Sequence, residues 1–361
     1  MRFPEFSGEW KREILNDVCT FHNGRAYKQN ELLSDGKYRV LRVGNFFTND
    51  SWYYSDLELD DEKVAVNGDL LYAWSASFGP RFWTGEKVIY HYHIWKIDSF
   101  QQVSKEFLFY FLERDTEKIK NEVQGGTMVH ITKGDMEKRE ILYPSILEQS
   151  KIARLLSLLD ERIATQNKII EDLKKLKSAI RKKLLCNDKW TTYKIQDIAE
   201  IGRGRVISSV EIDRQKHPLY PVYSSQTSND GIMGYLDSYM FDGEYITWTT
   251  DGANAGTVFY RKGKFNCTNV CGTLKIQPKF DCYFVSLVLQ QATQKYVSSN
   301  LANPKLMNNT MASIKIRMPN IETQKQLSKV FQTLDSCLLV HQRTCKMYLS
   351  EKQYLLCQMF I

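Results

Sequence analysis

The sequence predicts an α+β chain built twice over: two mixed globular halves, each running into one long helix. Three observations carry that expectation. Residues 145–186 and 320–361 hold no glycine or proline and repeat apolar residues at alternating steps of three and four. The two stretches match each other in register at an offset of 175. The segments that precede them open alike at an offset of 180. A register repeated in this way marks an internal duplication.

The expected division is a first domain at residues 1–144, a helix at 145–189, a second domain at 190–319 and a second helix at 320–361. Pro144 sits just before the first helix, where a missing N–H costs nothing, and Ser145 can cap its first turn. Ile152, Leu155, Leu159, Ile163, Ile170, Leu173, Ile180 and Leu184 form a seam on one face. About forty residues at ~1.5 Å each span roughly 60 Å. That length suits a coiled coil or a spacer, with one long core helix as the alternative. Aligning Pro144 with Pro319 pairs Leu159 with Leu334, Ile163 with Leu338, Leu173 with Tyr348, Ile180 with Leu355 and Leu184 with Met359. The interruptions coincide as well: Gln166 falls on His341, and Lys177 on Lys352. Leu156, Leu176 and Leu185 lie off the seam and are expected to need a partner surface.

Composition narrows the class. A 361-residue chain with 43% hydrophobic residues can bury two ordinary cores. No apolar run reaches the ~18 residues of a membrane span, and no signal peptide opens the chain, so no membrane partner is expected. Eight cysteines without a paired framework point to a reducing cytoplasm. Cys267 and Cys271 lack a second ligand pair, and His91 and His93 share one side of an expected strand; a structural role is the reading for both pairs. The net charge of +7 is uneven: −4 over residues 1–145, +5 over 146–189, +4 over 190–320 and +2 over 321–361. Net charge alone therefore does not establish nucleic-acid binding.

Taken in order, each half opens with a tryptophan (Trp10, Trp190), a short apolar turn and a Gly-Arg pair, Gly24-Arg25 and Gly204-Arg205. Glycine there is expected to turn the backbone at positive φ and approach a ligand, and arginine to hold phosphate or a guanine edge, with an ordinary surface turn as the alternative. Strands are expected at 37–43, 69–75 and 88–97 in the first half and at 219–223, 245–250, 256–261 and 273–276 in the second. Each half then offers a helix (105–120, 281–296), a polar loop and one last strand (140–143, 314–318) that runs into the proline before the long helix.

This layout resembles the specificity subunit of type I restriction–modification systems. The residues that carry the resemblance are Pro144, Glu148-Gln149, Lys151-Ile152-Ala153 and Leu158-Leu159-Asp160, echoed at Thr323-Gln324, Leu327 and Leu334-Asp335. Further matches are Ile201-Gly202-x-Gly204, Tyr220-Pro221-Val222-Tyr223-Ser224-Ser225 and Thr249-Thr250-Asp251-Gly252-Ala253-x-Ala255-Gly256. The first half departs from these motifs, with Tyr38 to Arg42 and Trp74 to Pro80 in their place. The resemblance implies two target-recognition domains, each binding half of a split double-stranded DNA sequence. It implies long helices that pack as an antiparallel coiled coil, set the spacing and hold the modification (methyltransferase) subunits. S-adenosylmethionine, ATP and Mg2+ then belong to partner subunits, including separate restriction subunits, and none to this chain. In agreement, the sequence contains no phosphate-binding G-x-x-x-x-G-K-[ST] loop and no Asn-Pro-Pro aromatic motif.

Candidate DNA contacts are polar and basic loop residues: Arg25, Arg42, Asn45, Ser75, Ser77 and Arg81 in the first domain. In the second they are Arg203, Arg205, Tyr223, Ser225, Gln226, Thr250, Asp251, Asn254 and Lys305. Two other readings compete: a coiled-coil protein adaptor, favoured by the acidic first half, and a metal-dependent nuclease using Asp242, Glu244 or Asp251. No catalytic or metal-ligating residue is assigned. The shared seam register makes a direct prediction. Residues 1–189, expressed with the cognate methyltransferase, should dimerise and mark a palindromic split motif. Sequencing of the methylated sites checks this; an asymmetric motif would show that the two helices are not interchangeable.

Overall fold

The computed structural model describes residues 2–47, 49–75, 78–122, 131–184, 189–298 and 303–360. Residues 1–168 with 342–361 form one compact unit, and residues 169–341 form a second. Each unit contains one globular domain and a part of each long helix, Ile146–Leu184 and Ile321–Met359.

The first domain is closed by its own ends. Lys11–Ile14 pairs antiparallel with Glu140–Tyr143, so the chain leaves beside the point where it entered. Between these strands lie two four-stranded sheets. One has the order Thr20–Asn23, Ile94–Asp98, Leu70–Ala73, Gly79–Phe82; the other has Tyr53–Ser55, Tyr38–Leu41, Val88–Tyr90, Val64–Ala65. Tyr72 and Trp95, both buried, stack at 5.8 Å between ring centroids, with Phe21 edge-on to Trp95. Helix Lys105–Glu122 packs on the Gly79–Phe82 strand and supplies Phe107, Leu108, Phe111 and Leu112 to the core.

The second domain repeats this plan. Thr191–Lys194 pairs with Lys315–Met318. A four-stranded sheet runs Ala199–Arg203, Cys271–Ile276, Glu244–Thr249, Val258–Lys262, and a three-stranded one runs Ile232–Leu236, Tyr220–Tyr223, Asn266–Cys267. Trp248 takes the place of Tyr72 and is equally buried. The strand order is thus that of the first domain less one short edge strand. The expected helix at 281–296 ends sooner, at Ala292, and Gln294–Tyr296 follows as a single tight 3-10 turn. The expected strand at 88–97 is two strands, split by a turn at residues 91–93.

The long helices pack antiparallel within each unit. In the first, Asn167 lies opposite Cys345 and Asp160 opposite Lys352, while Ile152, Ala153 and Leu156 share a core with Leu356, Met359 and Phe360. In the second, Lys177 lies opposite Asp335, and Ile180 packs on the core that holds Phe331. Of the predicted seam, Leu159 and Met359 are buried, and Ile163, Ile170, Leu173, Ile180, Leu334, Leu338, Tyr348 and Leu355 are half-buried. The side chain of Leu184 and all of Leu185 fall outside the described residues. Cys345, at the position that matches Ile170, is a buried seam residue absent from the predicted set.

One expectation about the long helices fails. Leu156 is not an exposed residue awaiting a partner but is 0% exposed, as is its counterpart Phe331. The seam faces the other long helix, but this second apolar line faces the globular domain, so each helix buries two adjoining stripes. Leu156→Ala should therefore cost about 2–5 kcal/mol, whereas Leu176→Ala, at a half-exposed site, should stay within about 0.5 kcal/mol. Urea denaturation followed by tryptophan fluorescence checks both.

Candidate nucleic-acid interface

Each Gly-Arg pair follows an edge strand and crosses to the neighbouring sheet. Gly24 N donates to Ile94 O (3.1 Å) and Arg25 N to Tyr90 O (3.0 Å); Gly204 N donates to Cys271 O (3.1 Å) and Arg205 N to Cys267 O (3.2 Å). Neither glycine has positive φ, contrary to the expectation from sequence. Both are required by close approach instead: a Cβ on Gly24 would lie 2.3 Å from His91 O, and one on Gly204 would lie 2.2 Å from Cys267 O. The arginines are held alike. Arg25 Nη2 donates to Glu31 Oε1 at 2.6 Å, and Arg205 Nη1 to Glu211 Oε2 at 2.9 Å. Glu211 sits well within hydrogen-bonding reach and is held below the usual carboxylate range by Arg205. A glutamate six residues downstream thus orients each guanidinium.

The second-domain candidates gather at one end of that domain. Arg203 Nε donates to Asn269 O (2.6 Å) and its Nη2 to Thr250 Oγ1 (2.9 Å) and Asp251 Oδ2 (3.3 Å). Lys305 Nζ lies 3.5 Å from Asp251 Oδ1, so Asp251 stands between two cations. Asn254 Nδ2 donates to Ser225 O (3.2 Å), tying the loop after Glu244–Thr249 to the loop after Tyr220–Tyr223. Gln226 donates to Ile232 O across its own loop. Tyr223 covers Arg261, whose Cζ is 3.5 Å from the ring centroid. Arg261 was not among the sequence candidates. It is buried, and it donates to Asp230 O (2.8 Å), supporting the Asn229-Asp230 turn at positive φ. Burial pulls its pKa down, and Tyr223 and Asp230 act against that pull. Its signal in the sequence is an arginine that directly follows the apolar and aromatic run Val258-Phe259-Tyr260 within one strand.

In the first domain, Arg25, Arg42 and Ser75 converge on the turn at residues 91–93. His91 N donates to Leu41 O (2.9 Å), Tyr92 N to Arg25 O (3.1 Å) and Trp74 N to His93 O (3.1 Å). Arg42 Cζ lies 4.2 Å from the Tyr53 ring centroid, and its Nε is buried without a hydrogen-bond partner among the described residues. Ser75 is buried. Asn45 pins its own loop, donating to Asn49 O (2.9 Å) and Ser51 O (2.7 Å). Arg81 lies over Phe47 (4.7 Å) and lines a separate cleft with Glu113, Lys120, Asp160 and Lys352. Ser77 lies outside the described residues. Cys267 and Cys271 flank the matching turn of the second domain as buried thiols, and burial raises the pKa of both.

A second duplicated constellation joins each domain to its helices. Gln149 Oε1 accepts from Ser104 N (2.8 Å) and its Nε2 donates to Pro144 O (2.9 Å); Gln324 Oε1 accepts from Asp281 N (3.0 Å) and its Nε2 donates to Pro319 O (2.8 Å). Tyr110 Oη donates to Asp160 Oδ2 (2.9 Å), and Lys352 Nζ donates to Asp160 Oδ1 (2.7 Å). Tyr283 Oη donates to Asp335 Oδ2 (2.5 Å), and Lys177 pairs with Asp335 Oδ1. Of the polar breaks in the seam, Lys177 and Lys352 are therefore ion-paired across the helices.

The chain thus carries two copies of one domain, each anchored to the paired long helices by the same glutamine and tyrosine–aspartate contacts. A family model described as "Type I restriction modification DNA specificity domain" matches residues 7–175 and again 187–346. The chain belongs to that family. A type I specificity subunit of Mycoplasma pneumoniae is 39% identical over 198 residues, 54% of this chain and 82% of that protein. The MpnII type I restriction enzyme specificity subunit of the same organism is 43% identical over 152 residues, 42% of this chain and 46% of that protein. Among solved structures, the type I restriction–modification S subunit from M. genitalium superposes with a TM-score of 0.72 at 18% identity, covering 100% of this chain and 99% of that one. That likeness shows a common fold.

Lys352 yields a prediction with a pH signature. Burial raises the pKa of Glu113, and Lys352, 2.9 Å from its Oε1, pulls it back. Lys352→Met removes the pull, leaving the partly exposed carboxylates of Glu113 and Asp160 without their cation, at a cost of about 1–3 kcal/mol near neutral pH. A carboxyl whose folded pKa lies above its unfolded value loses stability as pH rises through that interval. The variant's deficit should therefore be largest near neutral pH and shrink on acidification as Glu113 protonates. Denaturation curves across the acid range check the sign.

Proposed function

We propose that this chain is the sequence-reading subunit of a type I restriction–modification complex. Each domain reads one half of a bipartite double-stranded DNA target. The long helices set the spacing between halves and dock the methyltransferase subunits, and the chemistry resides on those partners. The observation that carries the reading is the double match to the specificity family together with the same Gly-Arg-to-glutamate brace in both domains. Fixed, carboxylate-oriented guanidiniums are suited to phosphate or guanine O6/N7. Loops rich in amide and hydroxyl groups around them supply further donors and acceptors for base edges. S-adenosylmethionine, ATP and Mg2+ are assigned to the partner subunits.

Two of the three acids of the nuclease alternative already face cations, Glu244 lying 3.3 Å from Lys262 Nζ. Asp251 is engaged by Arg203 and Lys305, and no group of three or more His, Cys, Asp or Glu is placed to hold a metal among the described residues. No helix among the described residues is long and apolar enough to cross a membrane.

The test is a gel shift and a map of methylated sites, made with the chain and its cognate methyltransferase. A split motif that appears only when this chain is present is the expected result. Arg205→Ala should weaken or relax one half of that motif by about 1–3 kcal/mol and leave the other half and the spacing unchanged. Loss of selectivity in both halves at once would contradict the two-reader arrangement.

A further inference from the structure

The turn at residues 91–93 breaks what the sequence presents as one strand. Three segments end on it, through the backbone hydrogen bonds of Leu41, Arg25 and Trp74 with His91, Tyr92 and His93. Its side chains are rings. The centroids of Tyr92 and His93 are 3.9 Å apart, those of His91 and His93 4.9 Å, and those of Trp74 and His93 5.0 Å. Tyr92 is 39% exposed, beside the half-buried His91 and His93. Burial first, then His93 and Arg42, hold the pKa of His91 down to about 4. Its imidazole is therefore neutral at physiological pH, able to donate and accept but not to act as a phosphate-binding cation.

The second domain has the same frame with different contents. Thr250 N donates to Val270 O (2.9 Å) as Trp74 N does to His93 O, and Cys271 N to Thr268 O (3.0 Å) as Ile94 N does to His91 O (2.9 Å). The side chains there are Thr268, Asn269 and Val270, with Arg203 braced on Asn269 O. A fixed backbone carrying unlike side chains is the expected form of an element that decides what each copy recognises.

We propose that the turn at residues 91–93 is a specificity-determining element of the first domain, placing Tyr92 and His93 against base edges in one half of the target. The turn at 268–270 holds the same place in the second domain. The assignment rests on the DNA-reading function proposed above. Flat rings that carry hydrogen-bonding groups suit base edges and the thymine methyl, and Arg25 and Arg42 beside them suit the flanking phosphates.

The experiment maps methylated sites for the chain assembled with its methyltransferase subunits, comparing wild type with Tyr92→Ala, His93→Ala and Asn269→Ala. Tyr92→Ala and His93→Ala are expected to lower the preference for the cognate base at one or more positions of one half by tenfold or more. The other half and the spacing stay intact, which also shows that each variant is folded. Asn269→Ala is expected to alter the opposite half. Wild-type preference in both halves for Tyr92→Ala and His93→Ala overturns the inference and leaves the DNA-reading function standing. A wild-type complex that marks no split motif overturns both. If Tyr92→Ala loses both halves, Tyr92→Leu, which keeps bulk and removes the ring, decides by the same two outcomes.

Discussion

The interaction on which the structure depends is a lysine that crosses from one long helix to an aspartate on the other. It occurs once in each unit, as Lys352 with Asp160 and as Lys177 with Asp335. An ammonium group at a position that is otherwise apolar must find a carboxylate or bear its desolvation alone. A slip of one helical turn, ~5.4 Å, would leave both groups unpaired. The seam of leucine and isoleucine supplies adhesion but tolerates several registers; the charged crossing selects one. The same aspartates accept the hydroxyls of Tyr110 and Tyr283, so the element that fixes the helices also fixes a domain to them.

Much of this was legible in the sequence. The long helices, their shared seam, the duplicated opening and the closing strand of each domain follow from period and register, which are local properties. Where the reading failed, the deciding partner was distant in sequence. Leu156 looks surplus to a two-helix seam and becomes core only because Phe107 and Phe111 lie beneath it. Gly24 and Gly204 read as flexible turns, but their need comes from the carbonyls of His91 and Cys267 on a segment distant in sequence. Residues 88–97 have the composition of one continuous strand. The break at 91–93 is imposed by pairing on both sides, parallel to Tyr38–Leu41 before it and antiparallel to Thr20–Asn23 after it.

The candidate interface was legible as a set of loops but not as a set of contacts. Most of its polar side chains already have a partner: Arg25 has Glu31, Arg203 has Thr250 and Asp251, and Asn254 has the Ser225 carbonyl. Such pairing sets the direction in which the remaining donors point before any ligand arrives, and that preorganisation lowers the cost of recognition. Arg261 illustrates how far back the support extends, since it touches the Asn229-Asp230 turn from inside the domain.

The antiparallel clasp at the base of each domain has an evolutionary consequence. Lys11–Ile14 lies against Glu140–Tyr143, and Thr191–Lys194 against Lys315–Met318. Everything between the two strands of a clasp forms a cartridge that begins and finishes on them and meets the helices through a few groups, among them Ser104, Tyr110 and Glu113 in the first domain and Asp281 and Tyr283 in the second. Recombination between genes at those short stretches would exchange a complete cartridge and leave the helices, with their charged crossings, as they were. An incoming cartridge that keeps the groups facing the helices, such as the hydroxyls that bond Asp160 and Asp335, needs no compensating change elsewhere.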